Sequence, residues 1–146
     1  MTEHNCELTV EQTHQLFLNG ELTCEELVSN YLERIERYDS AGPELNAIIT
    51  INDDAIDRAS QLDELLADDG LVGPLHGIPV LVKDQVQTAD VVTTYGSEAF
   101  EGFVPTEDAE IVSRVREAGG VILAKTAGEK FLLSCCRYPM LTCVFK

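Results

Sequence analysis

The chain has no tryptophan, only 6% aromatic residues and ten Lys+Arg against 26 Asp+Glu in 146 residues, a formal net charge of −16. A surface that acidic repels phosphates, which excludes nucleic-acid binding through a basic patch of the whole chain. No apolar run approaches the ~18 residues of a membrane span. The N-terminus, Met1-Thr2-Glu3-His4-Asn5, has no basic n-region and no apolar h-region. No secretory signal is read there, and a reducing cytoplasm is expected. Cysteine is scarce and odd in number: Cys6, Cys24, Cys135, Cys136 and Cys143. None of them makes C-x-x-C spacing or a ligand set with His4, His14 or His76, so neither a disulfide framework nor a metal site is expected.

What is present suits an ordered domain. The hydrophobic fraction of 45% is too high for a disordered acidic tail, and the length closes a modest core. The acid excess points to a salt-tolerant or halophilic setting, because salt screens the self-repulsion of such a surface. Charge is unevenly placed. All 26 acids lie before residue 130, whereas Cys135 to Lys146 holds none and carries two bases. That break divides the chain at about residue 131. The segment 132–146 reads either as a basic, apolar docking tail or as the translation of a shifted reading frame.

Helices and strands alternate. Thr9-Val10-Glu11-Gln12 and Thr23-Cys24-Glu25-Glu26 are capping boxes. The first opens a helix to about Asn19. The second opens a longer one, with Leu27, Tyr31, Leu32, Ile35 and Tyr38 at three- and four-residue steps. Ala47–Ile51 is a β-branched strand. Asp53 or Asp54 is expected to cap a third helix with Ile56, Ala59, Leu62, Leu65 and Leu66 on one face. Ile78–Val82 and Val121–Ala124 are continuous apolar runs, expected as strands buried on both faces. Between them, Asp108-Ala109-Glu110 opens a helix through Ile111, Val112 and Val115. Gly119-Gly120 stops that helix and is not a phosphate loop: the apolar run 121–123 stands where a Walker-type glycine loop must lie. The order implies an α/β protein with a mixed, largely parallel sheet flanked by helices.

Lys83 is the sharpest chemical feature. It ends the run Val80-Leu81-Val82 and shares a face with Leu81. A lysine there pairs, snorkels to water or loses its proton. Solvent at the strand end and Asp84 are its simplest partners, and a desolvated neutral lysine is a competent general base.

Three features resemble the amidase signature family. They are Leu45-Asn46-Ala47 before a strand and an Ala/Asp/Leu helix, the segment Gly73-Pro74-Leu75-His76-Gly77-Ile78-Pro79-Val80-Leu81-Val82-Lys83-Asp84, and Thr93-Thr94-Tyr95-Gly96-Ser97. Asp108-Ala109-Glu110-Ile111-Val112 and Glu117 to Thr126 continue the family's order, so the resemblance covers residues 8 to 131. It implies the N-terminal part of the amidase-signature fold, truncated before the segments that build the substrate pocket. It also implies hydrolysis of a carboxamide to carboxylate plus ammonia or amine, with no metal or organic cofactor. In the family a serine nucleophile and a second serine held by a cis peptide act with a lysine, and Lys83 matches that lysine. The two serines lie downstream. The serines here, Ser29, Ser40, Ser60, Ser97, Ser113 and Ser134, include no adjacent pair, so the chain is expected to be inactive alone. Two alternatives stand beside this reading: the ammonia-releasing subunit of a tRNA-dependent amidotransferase, which works with partner subunits, and a non-catalytic interaction module. A truncated sheet is further expected to leave open edges through which copies associate. Asp90 replaces the family's usual glycine after Thr-Ala and has to enter the left-handed region. After Lys125-Thr126, Ala127-Gly128-Glu129-Lys130-Phe131 keeps only the family's phenylalanine.

Overall fold

Residues 8–127 are described by a computed structural model. Both capping boxes form. Thr9 Oγ1 accepts from Gln12 N at the start of α1 (Val10–Leu18), and Thr23 Oγ1 accepts from Glu26 N at the start of α2 (Cys24–Ile35). α2 does not run regularly to Tyr38. It widens into a π-helical turn, Glu36–Ser40. The extra residue swings Asp39 inward, where its carboxylate accepts the amides of Ala47 at 2.7 Å and Ile48 at 3.1 Å. A buried carboxylate thereby fixes the entry to β1 (Ile48–Ile51).

α3 (Ala55–Asp69) begins where expected but by another device. Asp54 sits at the cap with no side-chain bond. Asn52 does the tying: its Oδ1 accepts from Asp54 N, and its Nδ2 donates to Ile122 O at 2.7 Å. The buried stripe is Ala55, Ala59 and Leu62, with Leu66 packed beside it, while Ile56 and Leu65 are exposed. The face is therefore rotated from the one expected: Ala55 belongs to the buried side, since steps of four, three and four hold one stripe.

β2 (Pro79–Lys83) follows, then an irregular segment with a short 3₁₀ turn at Glu98–Phe100, then α4 (Glu110–Glu117) and β3 (Val121–Thr126). The sheet order is β1-β3-β2. β2 pairs with β3 in parallel and β1 pairs with β3 antiparallel, so the sheet is mixed. β3 extends two residues beyond the expected strand and is buried at every residue from Val121 to Lys125. One face of its first half, through Val121 and Leu123, meets α1, α2 and α3; the other, through Ile122, joins Val82 and Val112 under α4. Ile111, the neighbour of Val112 on α4, is 65% exposed. In β2, Val82 is buried but Leu81 is 51% exposed, so this strand is covered on one face only in its second half, as a truncated sheet implies.

Two backbone positions tie the layers together. Gly77 has φ +69°, and a Cβ there would drive into Cys24 Sγ and Phe17 of the α1–α2 layer. Asp90 has φ 72°, the left-handed conformation expected of it. The tail 132–146 lies outside the described residues. None of the helices among the described residues is long and apolar enough to cross a membrane.

Candidate active site

The end of β2 sets two neighbouring side chains on opposite faces of the sheet. Asp84 turns inward and is 1% exposed. Its carboxylate accepts from Thr94 N at 3.0 Å, Thr94 Oγ1 at 2.7 Å and Gly96 N at 3.0 Å. Those bonds fold the 93–97 segment back onto the strand end. Asp84 N donates to Thr126 O, and Val86 N donates to Lys83 O. The backbone carrying Lys83 is therefore held from β3 on one side and by its own turn on the other.

Lys83 points the other way. It is exposed, and its side chain has no hydrogen bond or ion pair with the described residues. Asp84, the simplest partner the sequence offers, is fully engaged elsewhere and faces away. By register, Lys83, Thr126 and Ile48 form one row across the sheet, and Leu81, Ala124 and Ile51 form the next. Leu81 and Ile51 are 51% and 40% exposed. An ammonium without a partner among the described residues thus stands at the corner of a largely apolar sheet face, exposed at its edge strands and buried at Ala124 in its centre.

The buried lysine is a different one. Lys125 pairs in register with Val82 and is fully buried. Its Nζ donates to Val86 O, to Thr88 Oγ1 at 2.9 Å and to Thr93 Oγ1 at 3.1 Å. The two hydroxyls pass their own hydrogens on to Val86 O and Val91 O, so every donor of the ammonium finds an acceptor. Burial pushes the Lys125 ammonium below its ordinary range, with Asp84 and Asp108 pulling the other way. In the sequence Lys125 is only the residue that follows the apolar run Val121–Ala124. The available signal was its place inside a strand otherwise too apolar to tolerate an unpaired charge. Asp108, expected at the start of α4, instead accepts from Ala89 N at 2.7 Å and pairs with Arg116 at 2.9 Å, closing the same loop from its far end.

His76 lies apart from this site. It is fully buried, edge-on to Phe17. Its Nδ1 accepts from Val72 N at 3.1 Å, and Nε2 has no partner among the described residues. Burial, then the nearby His14, lowers its pKa below the usual 6.5. Cys24, beneath Gly77, is buried, and burial followed by Asp63 raises its thiol pKa, leaving it protonated. Among the described residues no three His, Cys, Asp or Glu side chains are placed to hold a metal ion.

These features can be set against known proteins. The family model described as Amidase matches residues 26–142. Over 124 residues the chain is 36% identical to a subunit of the glutamyl-tRNA(Gln) amidotransferase of Exiguobacterium sibiricum, covering 85% of this chain and 25% of that protein. It is 41% identical over 115 residues to a putative amidase of Schizosaccharomyces pombe, covering 78% of this chain and 19% of that one. The native peptide amidase of Stenotrophomonas maltophilia superposes with a TM-score of 0.81 at 42% identity, over 84% of this chain and 25% of its own. The chain thus spans a fifth to a quarter of the length of these relatives. With the family match over most of its length and the mixed α/β layers shared with a solved amidase, the chain belongs to the amidase family.

Proposed function

We propose that Lys83 is the general base of an amidase whose nucleophilic and bridging serines lie outside this chain. The reaction is hydrolysis of a small carboxamide to carboxylate plus ammonia or amine. Lys83 would draw a proton through the bridging serine, and the nucleophile would attack the amide carbon. One observation carries this reading. Lys83 is fixed through its backbone at a strand end, yet its ammonium is unpaired and faces an open sheet face. The proposed role needs a neutral amine at that position. Asp84, its neighbouring carboxylate, is spent on Thr94 and Gly96 and leaves Lys83 without a partner among the described residues.

By this reading the isolated chain does not hydrolyse aliphatic or aryl amides above background, since Lys83 has no serine to act on. Turnover by the purified chain that disappears in Lys83→Ala would overturn it. Grafting residues 26–127 in place of the matching segment of the Stenotrophomonas peptide amidase tests the role directly. The chimera is expected to retain activity, and Lys83→Met in the chimera to lose at least about a thousandfold in kcat/KM. An active Lys83→Met chimera would remove Lys83 from the mechanism.

A second reading has its own support. The Exiguobacterium relative is named as part of an amidotransferase, and in such a setting the same site would release ammonia from glutamine within a multi-subunit complex. Comparing glutamine with simple amides as substrates of the chimera separates the two. We place the protein in a cytoplasm and, from its acid excess, in a high-salt one.

A further inference from the structure

His76 is a buried titratable group that the proposed reaction does not use, and its surroundings fix its protonation state. Val72 N donates to Nδ1 at 3.1 Å, so Nδ1 is bare and Nε2 carries the hydrogen. That Nε2–H is buried and finds no acceptor among the described residues. A second proton could enter only at Nδ1. It would set one N–H against the N–H of Val72 and leave a fully buried imidazolium with two donors in want of acceptors. The charged and titratable groups around the ring are committed or of the wrong sign. From α1, His14 Nε2 donates to His76 O at 3.0 Å. From α2, Cys24 is a buried, protonated thiol. From α3, Arg58 is a cation that disfavours another, and the two oxygens of Asp63 accept from Cys24 N at 2.7 Å and Glu25 N at 3.0 Å. Gly119, after α4, presents only backbone to the His76 Cα.

We propose that His76 is an acid-released latch on the turn 70–77: the neutral ring holds Val72 in place, and a proton on Nδ1 breaks that bond and frees the outer half of the turn. The turn divides in two. Its inner half is tied by bonds that do not involve the ring: His76 N donates to Gly73 O at 3.1 Å, and Leu75 N to Ala118 O and Gly77 N to Gly119 O at 2.9 Å each. Its outer half, Leu71 and Val72, is exposed and is tied inward through Val72 N. Opening therefore stops short of β2, which stays paired with β3. Burial and then His14 lower the pKa of His76 below 6.5, which puts release on the acid side of neutrality. The latch rests on no role of Lys83.

Amide exchange followed by NMR on the full chain tests this, with protection corrected for the intrinsic pH dependence of exchange. At about pH 7.5, above the ordinary histidine range, the ring nitrogens of His76 are expected to report a hydrogen on Nε2 and none on Nδ1. From there down through the His76 titration, protection of Val72 N is expected to fall about tenfold in step with the ring, while that of Leu75 and Gly77 changes less than about twofold. His76→Asn sets an amide oxygen near the place of Nδ1 and does not titrate, so Val72 is expected to stay protected throughout. His76→Ala is expected to leave Val72 unprotected at every pH. His14→Gln keeps an N–H for His76 O and is expected to preserve the acid response. A hydrogen on Nδ1 at the starting pH would overturn the proposal, as would Val72 protection that survives titration of His76 or that persists in His76→Ala. Equal losses at Val72, Leu75 and Gly77 would replace the latch with general unfolding. An acid response that remains in His76→Asn, or disappears in His14→Gln, would take the latch away from His76.

Discussion

Lys83 and Lys125 stand on opposite faces of the same three-stranded sheet, and the chain treats them in opposite ways. Lys125 is sealed under the 84–103 segment with three oxygen acceptors. Lys83 is left in the open with none. The covered face is complete within the described residues: Val82, Ile122 and Val112 close its apolar part, and Asp84 and Lys125 close its polar part. The other face has its backbone fixed, but Lys83, Leu81 and Ile51 on it are exposed among the described residues. A buried charge has to be satisfied by the segment that buries it, whereas an exposed one is satisfied by water.

The largest expected effect lies on the covered face. Lys125→Ala strips a donor from Thr88, Thr93 and Val86 at once. It is expected to cost about 3 kcal/mol in urea unfolding and to loosen the 84–96 segment to proteolysis. A cost near that of a surface substitution would mean that the loop holds without it. The depressed pKa of Lys125 adds a sign. The unfolded chain binds the proton more tightly, so this residue's contribution to stability rises with pH between its folded pKa and the ordinary 10.5. The rise is expected to vanish in Lys125→Met.

Next comes Gly77→Ala, which puts a Cβ into Cys24 and Phe17 at a positive φ. A loss of about 2 kcal/mol is expected; a neutral result would show that the α1–α2 layer gives way easily.

A smaller effect follows acid. The folded pKa of His76 lies below 6.5, so its contribution is intact above that value and is lost as pH falls through it toward the folded pKa. Melts between about pH 7.5 and 5.5 are expected to lose roughly 1 kcal/mol more in the parent than in His76→Asn, where no imidazole titrates. Equal losses would remove His76 as the cause.

Raising KCl from about 0.1 M to about 2 M shortens the Debye length from ~10 Å to below ~3 Å. It is expected to raise the melting temperature, and an unchanged melt would sever the acid excess from stability. The smallest effect belongs to Lys83. Replacing it with alanine is expected to change stability by no more than about 0.5 kcal/mol, and a larger loss would show a structural duty and blunt the contrast between the two lysines.

Much of this organisation is legible in the residues. The two capping boxes form as expected because they are local: four consecutive residues contain both donor and acceptor. The strand ending at Lys83 and the helix stop at Gly119 are legible for the same reason. The resemblance carried by residues 73–84 already points to the family. The departures fall where a distant partner decides. Asn52 supplies the α3 tie because Ile122 O is there to accept its amide. α2 widens because the start of β1 needs Asp39. Ile56 and Leu65 fit an apolar stripe, yet no layer among the described residues covers them.

By itself the sequence determined the helix starts, the apolar strands, the acid excess and the position of a lysine at a strand end, all properties of short segments and their composition. Only the tertiary structure decided which of two lysines is buried. Both follow apolar residues in strands, so periodicity treats them alike. Burial is set by what crosses over each face, and the chain that crosses over Lys125, with Thr88 and Thr93 in it, is 32 to 37 residues away in sequence.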